Sequence, residues 1–330
     1  MSEKKPIITI NNLKTHFHVK GSKKVVRAVD GVDLEVYEGE TLGVVGESGC
    51  GKTTLGKSIL QLIRPTSGEV IYEFQDGPSD LCKMNYRELD KARREIQIVF
   101  QDPQSSLNPS FTVYQSMSDA LKKFGLKTKK ERRERVGDLL EEVNMQREYM
   151  DRYPSEFSGG QRQRIGIARA LSIDPKVIVC DEAVSALDVS IQAQVLKLMN
   201  KLKEERGLTY IFISHDLSVI EYISDRIVVM YLGKIMEVAD AKELYRKAVH
   251  PYTQALLSAI PVADIDYEKK RILLEGDVPS PINVPSGCRF HTRCRYCQQI
   301  CKEKEPELKT YVVDGKKHMV ACHFSDEAFH

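Results

Sequence analysis

Gly46, Glu47, Ser48, Gly49, Cys50, Gly51, Lys52 and Thr53 follow the pattern glycine, four residues, glycine, lysine, serine or threonine. Glycines let the backbone curl so that successive N–H groups point inward at phosphate oxygens, and a helix starting there adds its positive end. In such a loop Lys52 reaches the β and γ phosphates of a nucleotide and the Thr53 hydroxyl ligates Mg²⁺. Val177, Ile178, Val179, Cys180, Asp181 and Glu182 supply a complement. A buried apolar strand ending in a carboxylate puts Asp181 beside the Mg²⁺ shell, and Glu182 can polarise the attacking water as general base. Two acids after an apolar strand are common alone; the phosphate loop gives them meaning. Phe157, Ser158, Gly159, Gly160 and Gln161 precede a helical stretch, Arg162 to Leu171. Small residues at a helix start form a further anion site, the plain alternative being a loop capped by Ser158. Two phosphate-binding loops in one chain suggest two chains sharing each nucleotide.

The other chemically loaded residues are eight cysteines. Cys50, Cys82 and Cys180 are scattered, whereas Cys288, Cys294, Cys297, Cys301 and Cys322 crowd the end. In a reducing compartment such clustering points to metal or redox chemistry rather than to disulfides.

The elements that must position these groups are strands alternating with helices. Ile7 to Ile10, Val32 to Val36 and Thr41 to Val45 are rich in β formers, and the last runs into the glycine loop. Leu55, Ile59, Leu62 and Ile63 share a face of a predicted helix over Thr53 to Ile63. Strands follow at Glu69 to Phe74 and Ile96 to Phe100. From Thr112 to Asn144 the pattern is helical and charged, and the run Lys127 to Arg135 reads as a solvated face. Beyond Pro154 the spacing predicts strands at Val177 to Cys180, Tyr210 to Ile213 and Ile227 to Met230. Helices are predicted between them, at Ser190 to Glu205 and Leu217 to Ile223. That alternation implies a parallel sheet covered on both faces. From His250 the composition changes, with five of thirteen prolines between Pro251 and Pro285, so an appended domain is expected there.

At 330 residues the chain suits two domains, or one with an insertion and a tail. A formal charge of +2 is too balanced for a nucleic-acid binder working by bulk charge. No run nears the roughly 18 apolar residues of a membrane helix, and the charged start, Met1 to Lys5, lacks a secretory signal. A cytoplasmic chain is expected.

Together the motifs resemble the ATP-binding subunit of ABC transporters over residues 1 to about 245. They are the phosphate loop, Gln101 after its strand, the signature Phe157 to Gln161, Asp181 with Glu182, the loop Ser185, Ala186, Leu187, Asp188, and His215 after Tyr210 to Ile213. Phe157 stands where Leu is commoner and Ala183 where Pro is usual; neither removes a chemical group. The resemblance implies an α/β P-loop NTPase (RecA-like) ABC nucleotide-binding domain over residues 1–249. It would have an N-terminal antiparallel β subdomain and an inserted helical subdomain at about 102–156, followed by a small C-terminal iron–sulfur domain over 250–330. It also implies a head-to-tail dimer with two ATP molecules. Gly46, Ser48, Gly49, Cys50, Gly51, Lys52, Thr53 and Thr54 of one subunit would face Ser158, Gly159, Gly160 and Gln161 of the other. By the same analogy Thr53, Gln101 and Asp181 hold Mg²⁺, Glu182 is the catalytic base, Gln101 senses the membrane partner and His215 contacts the γ-phosphate. Phe17 is the candidate for stacking on adenine, with His16 second.

Gln101, Asp102, Pro103, Gln104, Ser105, Ser106, Leu107, Asn108, Pro109 is similar to a segment of oligopeptide and dipeptide importers. So are His250 to Leu257 and the tail from Gly287 to His323. This implies an ATPase that energises peptide import from the cytoplasmic face of the membrane. Its partners would be two transmembrane permease subunits, a second ATP-binding subunit, identical or related, and indirectly a peptide-binding protein, with no nucleic acid. A nickel importer of the same group is the near alternative. A soluble ABC ATPase of translation or DNA repair is the distant one, disfavoured by the single cassette and the short interval between Gln101 and Ser158. The family's cysteine pattern falls on Cys288, Cys294, Cys301 and Cys322, expected to hold a [4Fe–4S] cluster, with Zn²⁺ as the alternative and Cys297 outside. A nucleic-acid-binding zinc module fits poorly beside Glu303, Glu305 and Glu307.

Overall fold

Alternating apolar side chains build the first strands of the computed structural model, which describes residues 5–102, 106–260 and 271–329. Pro103, Gln104 and Ser105 of the importer-like segment, and the chain start up to Lys4, lie outside the described residues. The chain forms two compact units, one from Met1–Lys83 with Ser214–His330, the other from Met84–Ile213.

In the first unit, β1 (Pro6–His18) buries Ile8, Ile10, Leu13 and Thr15 and pairs antiparallel with β2 (Val25–Tyr37). Both run well beyond the stretches their most β-rich residues predict. β3 (Thr41–Val45) is buried at every position and delivers the chain into the glycine loop. Helix α1 (Lys52–Ile59) follows, then β4 (Ser67–Phe74) and β5 (Gly77–Asp80), which complete an antiparallel sheet of order β2–β1–β4–β5. This is the antiparallel subdomain that the resemblance implies. The helix stops short of the expected Ile63. Gln61 turns left-handed at φ 55°, the N–H groups of Leu62 and Ile63 fold back on the Lys57 carbonyl, and Leu62 is 52% exposed.

The second unit opens with α2 (Leu89–Glu95) and β6 (Ile96–Val99). The charged stretch divides into α3 (Val113–Lys123) and α4 (Lys129–Glu142), each started by a capping box, Thr112 with Gln115 and Thr128 with Glu131. Its charges are more than a solvated face: Arg133 pairs with Asp151, Arg135 with Asp174, and Arg147 with Glu134, Asp138 and Glu141. Next come α5 (Gly159–Leu171), β7 (Val177–Asp181), α6 (Val189–Arg206) and β8 (Thr209–Ile213). Strands β6, β7 and β8 are parallel, with Val179 opposite Ile98 and Ile211. Apolar side chains cover both faces of β7 and β8, as a parallel sheet requires.

The chain then returns to the first unit with α7 (Leu217–Ile223), β9 (Arg226–Tyr231), parallel to β3, and β10 (Lys234–Asp240), antiparallel to β9. Helices α8 (Ala241–Arg246) and α9 (Pro251–Ser258) precede the cysteine-rich tail. The tail holds a short helix, α10 (Gln299–Glu303), and a hairpin of β11 (Lys309–Val313) and β12 (Lys316–Val320). Asp314 and Gly315 turn the hairpin, both at positive φ, and β12 pairs with β10. The described residues from His250 onward thus belong to the same unit as β1 and β2.

Candidate functional site

Backbone dictates the loop between β3 and α1. Gly46, Gly49 and Gly51 have φ of 151°, 78° and 107°, where a side chain is strained. A Cβ on Gly46 would lie 2.2 Å from the Met230 carbonyl oxygen, and one on Gly51 2.0 Å from that of Ala28. Glycine is thus required twice over at both positions. No side chain caps the start of α1, where Gly51 is the capping residue and Thr53 and Thr54 form the first turn. That leaves the positive helix end to a bound anion. Lys52 is 5% exposed, its ammonium donating to the carbonyls of Gly46 at 2.7 Å and Glu47 at 3.1 Å. Ser48 and Gly49 are exposed at the rim, while the Cys50 side chain is buried and its thiol pKa raised by that burial. Cys50 thus presents its backbone to the loop.

In the second unit Asp181 ends β7 at 6% exposure, and Glu182 leaves the strand with φ 49°. A left-handed glutamate is a strained residue held by its surroundings. Its N–H donates to the Ile213 carbonyl at 2.9 Å, and its carbonyl accepts from the Ser185 hydroxyl at 2.9 Å. The twist presents the carboxylate to Gln101, whose Nε2 donates to it at 2.8 Å. The pair expected to act on water and metal therefore meets directly, 81 residues apart in sequence.

Ser158 caps α5: its hydroxyl accepts from the Gln161 N–H at 3.3 Å, and the Gln161 side chain accepts from the Ser158 N–H at 3.0 Å. Ser158 and Gly159 are exposed. Gly160 is needed for packing, because a Cβ there would lie 2.4 Å from Ile191 Cγ2. An open hollow of about 720 Å³ faces this turn, lined by Tyr149, Ser158, Gly160, Gln161 and Arg164. The hydroxyl that accepts this capping bond still carries a proton to donate.

Phe17 is 39% exposed on β1, as a stacking residue needs. His16 instead turns to Asp30, with Nε2 2.9 Å from Oδ1. His215 is exposed in the first unit, just after Ser214.

In the tail Cys288 and Cys301 are buried, and Cys294, Cys297 and Cys322 half-buried. Gly287 lets the chain pass close by: at φ 61°, a Cβ would lie 2.4 Å from the Cys301 carbonyl oxygen, which accepts the Cys288 N–H at 2.8 Å. Burial pushes the Cys288 thiol up to about 12, with further upward pressure from Cys301, Cys322 and Cys294. The backbone N–H groups of Phe290, Tyr296 and Phe324 hydrogen-bond the sulfurs of Cys288, Cys294 and Cys322, each two residues earlier. Burial outweighs these bonds, which favour thiolate, and leaves all three thiols raised. Among the described residues no group of three or more His, Cys, Asp or Glu is arranged to hold a metal ion.

Sequence reasoning missed three residues beside these. Tyr252 and Arg293 both reach Glu47 in the phosphate loop, and Arg289 pairs with Asp30 of β2. Burial raises the Asp30 pKa, but hydrogen bonds from His16 and Arg289 outweigh it and hold the carboxyl low. All three lie in two of the three segments similar to peptide importers, but nothing in residue type or spacing pairs them with Glu47 or Asp30.

Among the described residues no helix is long and apolar enough to cross a membrane. Residues 29–185 match the ABC transporter family, and residues 236–301 match the oligopeptide/dipeptide transporter C-terminal region. The chain is 49% identical over 325 residues to the oligopeptide transport ATP-binding protein AppF of Bacillus subtilis (strain 168), covering 96% of this chain and 97% of that protein. It is 47% identical to the oligopeptide transport ATP-binding protein OppF of Salmonella typhimurium (strain LT2), covering 98% and 97%. Among solved structures it is similar to the ATP-binding cassette MJ0796, in a dimeric post-hydrolysis state bound to ADP and Pi. That match has a TM-score of 0.63 and 29% identity, and covers 71% of this chain and 98% of that one. A P-loop with its helix, a strand ending in Asp181 with Glu182 just after it, and matches along nearly the whole length lead to one conclusion: the chain belongs to the ATP-binding proteins of ABC transporters, in the group carrying the oligopeptide/dipeptide transporter C-terminal region.

Proposed function

We propose that ATP hydrolysis by this chain drives import of dipeptides or oligopeptides through a pair of transmembrane permease subunits. The carrying observation is identity near one half, over nearly full length, to proteins named for oligopeptide transport, tail included. The chain would sit peripherally on the cytoplasmic face and act with a second ATP-binding subunit, identical or related, in a head-to-tail dimer. A peptide-binding protein would feed the permeases and act on this chain only through them. Residues 1–249 would form the ATPase, with 102–156 its helical subdomain, and 250–330 the tail.

Within that reading the N–H groups of Gly46 to Thr54 and the Lys52 ammonium bind the ATP phosphates, and Phe17 stacks on adenine. Ser158, Gly159, Gly160 and Gln161 face the nucleotide held by the partner subunit. Thr53, Gln101 and Asp181 would hold Mg²⁺, which neutralises charge on the β and γ phosphates. Glu182 orients water and takes its proton, helped by the Gln101 amide that fixes its carboxylate, and His215 contacts the γ-phosphate.

Cys288, Cys294, Cys301 and Cys322 would hold a [4Fe–4S] cluster, with Zn²⁺ the alternative and Cys297 outside the set. Supporting this is the backbone bond from the Cys288 N–H to the Cys301 carbonyl at 2.8 Å, which brings two of the four cysteines together. The cluster would tie together a tail with little core of its own. Protein purified without oxygen should contain iron and acid-labile sulfide, and their absence refutes the assignment.

The transport reading is tested in vesicles carrying the permease subunits, with this chain and its partner ATPase added on the outer, cytoplasm-equivalent side. ATP-dependent movement of labelled di- or oligopeptide is expected. Nickel movement without peptide movement would overturn the cargo.

A further inference from the structure

We propose that Arg293 and Tyr252 are positioning residues for ATP binding, holding the phosphate loop in shape through Glu47. The inference rests on reading Gly46 to Thr54 as the ATP phosphate site.

Glu47 is the second residue of the loop, and both its carboxylate and its peptide are held. Arg293 grips the carboxylate as a fork, Nη1 to Oε2 at 2.7 Å and Nη2 to Oε1 at 3.2 Å. The Arg293 side chain is 8% exposed and that of Glu47 27%, so the pair is sheltered from solvent screening. On the main chain, the Glu47 N–H donates to the Tyr252 hydroxyl at 2.9 Å. The Glu47 carbonyl accepts from the Lys52 ammonium at 3.1 Å and from the Cys50 N–H at 3.2 Å. The Gly46–Glu47 peptide, whose N–H meets Tyr252 and whose carbonyl accepts from the Lys52 ammonium at 2.7 Å, thus connects the tail to the lysine assigned to the phosphates.

The two clamping residues are themselves fixed. Tyr252, fully buried at the start of α9, packs its ring 4.7 Å from Tyr231 and 5.3 Å from Phe290. Arg293 donates to the Tyr231 hydroxyl at 3.5 Å. Phe290 and Arg293 lie between Cys288 and Cys294, and in the same stretch Arg289 grips Asp30. Asp30 is two residues from Ala28, whose carbonyl abuts Gly51. The segment 288–294 thus holds the loop directly at Glu47 and braces the strand behind it.

The test measures ATP affinity of the purified full chain by isothermal titration with Mg²⁺, alongside its thermal melting point. Tyr252→Phe keeps the ring packing and deletes one hydroxyl; it should raise the Kd for ATP about threefold to tenfold with melting little changed. Arg293→Gln should raise it about tenfold or more, and Arg293→Lys, which restores charge without the fork, should recover part of the loss. In a double-mutant cycle, Glu47→Gln should cost less once Arg293 is Gln. Lys52→Ala is the control: lost binding supports the loop as the ATP site, and retained binding overturns both that reading and the proposal. If Lys52→Ala loses ATP while Tyr252→Phe and Arg293→Gln both bind it within twofold of the unaltered chain, the clamp alone is refuted. If Arg293→Gln does not fold, Tyr252→Phe decides by the same criterion.

Discussion

Glu237, on β10, is a buried acceptor for groups of the tail and the segment before it, and its loss should be expensive. The residue is 0% exposed. Its carboxylate accepts from the N–H groups of Val249 at 2.8 Å and His250 at 3.0 Å, ahead of α9. It also meets His318 Nε2 of β12 at 2.7 Å. Nδ1 of His318 is buried with no partner, so the ring proton is assigned to Nε2. Three donors thus converge on two oxygens. In Glu237→Gln one oxygen becomes an NH₂ group that cannot accept, so at least one donor is stranded. A stranded buried donor costs about 1–3 kcal/mol, and the bonds that remain lose their charge assistance, giving about 2–4 kcal/mol in all. At roughly 2–4 °C per kcal/mol this lowers the melting temperature by about 4–16 °C. The chain has no tryptophan, so far-UV circular dichroism is the suitable probe. A Glu237→Gln melting curve within 1 °C of the unaltered chain would refute the reasoning. Glu237→Ala, stranding all three donors, should lose more than Glu237→Gln.

Glu182→Gln should retain ATP binding while turnover falls about 10²–10⁴-fold, measured by phosphate release; normal turnover would remove Glu182 from its role. Gly51→Ala places a Cβ against the Ala28 carbonyl at a strained φ, so stability should drop by about 2–3 kcal/mol in urea titration, and an unchanged midpoint would contradict the close approach. His250 is fully buried, and burial lowers its pKa from 6.5 to about 4. The unfolded chain then binds the extra proton first as pH falls, so stability present at pH 7 is lost between 6.5 and 4, by about 3 kcal/mol. His250→Asn should flatten that part of the pH profile, and an equally steep profile in the variant would assign the loss elsewhere.

What was legible in the sequence was what chemistry dictates locally. The phosphate loop declares itself because Gly46 and Gly51 have no substitute at their φ and contacts, and the β3–loop–α1 order is where the motif placed it. The capping box at Ser158 and the buried run Val177–Asp181 are local in the same sense. The end of α1 was misread because Leu62 and Ile63 continue the apolar spacing, whereas the left-handed turn at Gln61 overrides it. The tail hairpin escaped notice because Lys309, Lys316 and Lys317 dilute the β pattern, although Asp314–Gly315 was a readable turn signal. The grip of Arg293 on Glu47 was not legible at all. Nothing in residue type or spacing says which of many arginines meets which acid 246 positions away.

That separation orders events in the life of the chain. Glu47 emerges from the ribosome long before Tyr252, Arg289 and Arg293, so the loop has its glycines and Lys52 from early in synthesis but lacks two of the groups that hold it. Strand β10 waits likewise for β12 to cover its outer edge. A nascent chain halted before the tail would expose an unpaired strand and carry a loosely held nucleotide loop. Completion of the tail is the step that both closes that edge and finishes the loop, so an unfinished ATPase is also an aggregation-prone one.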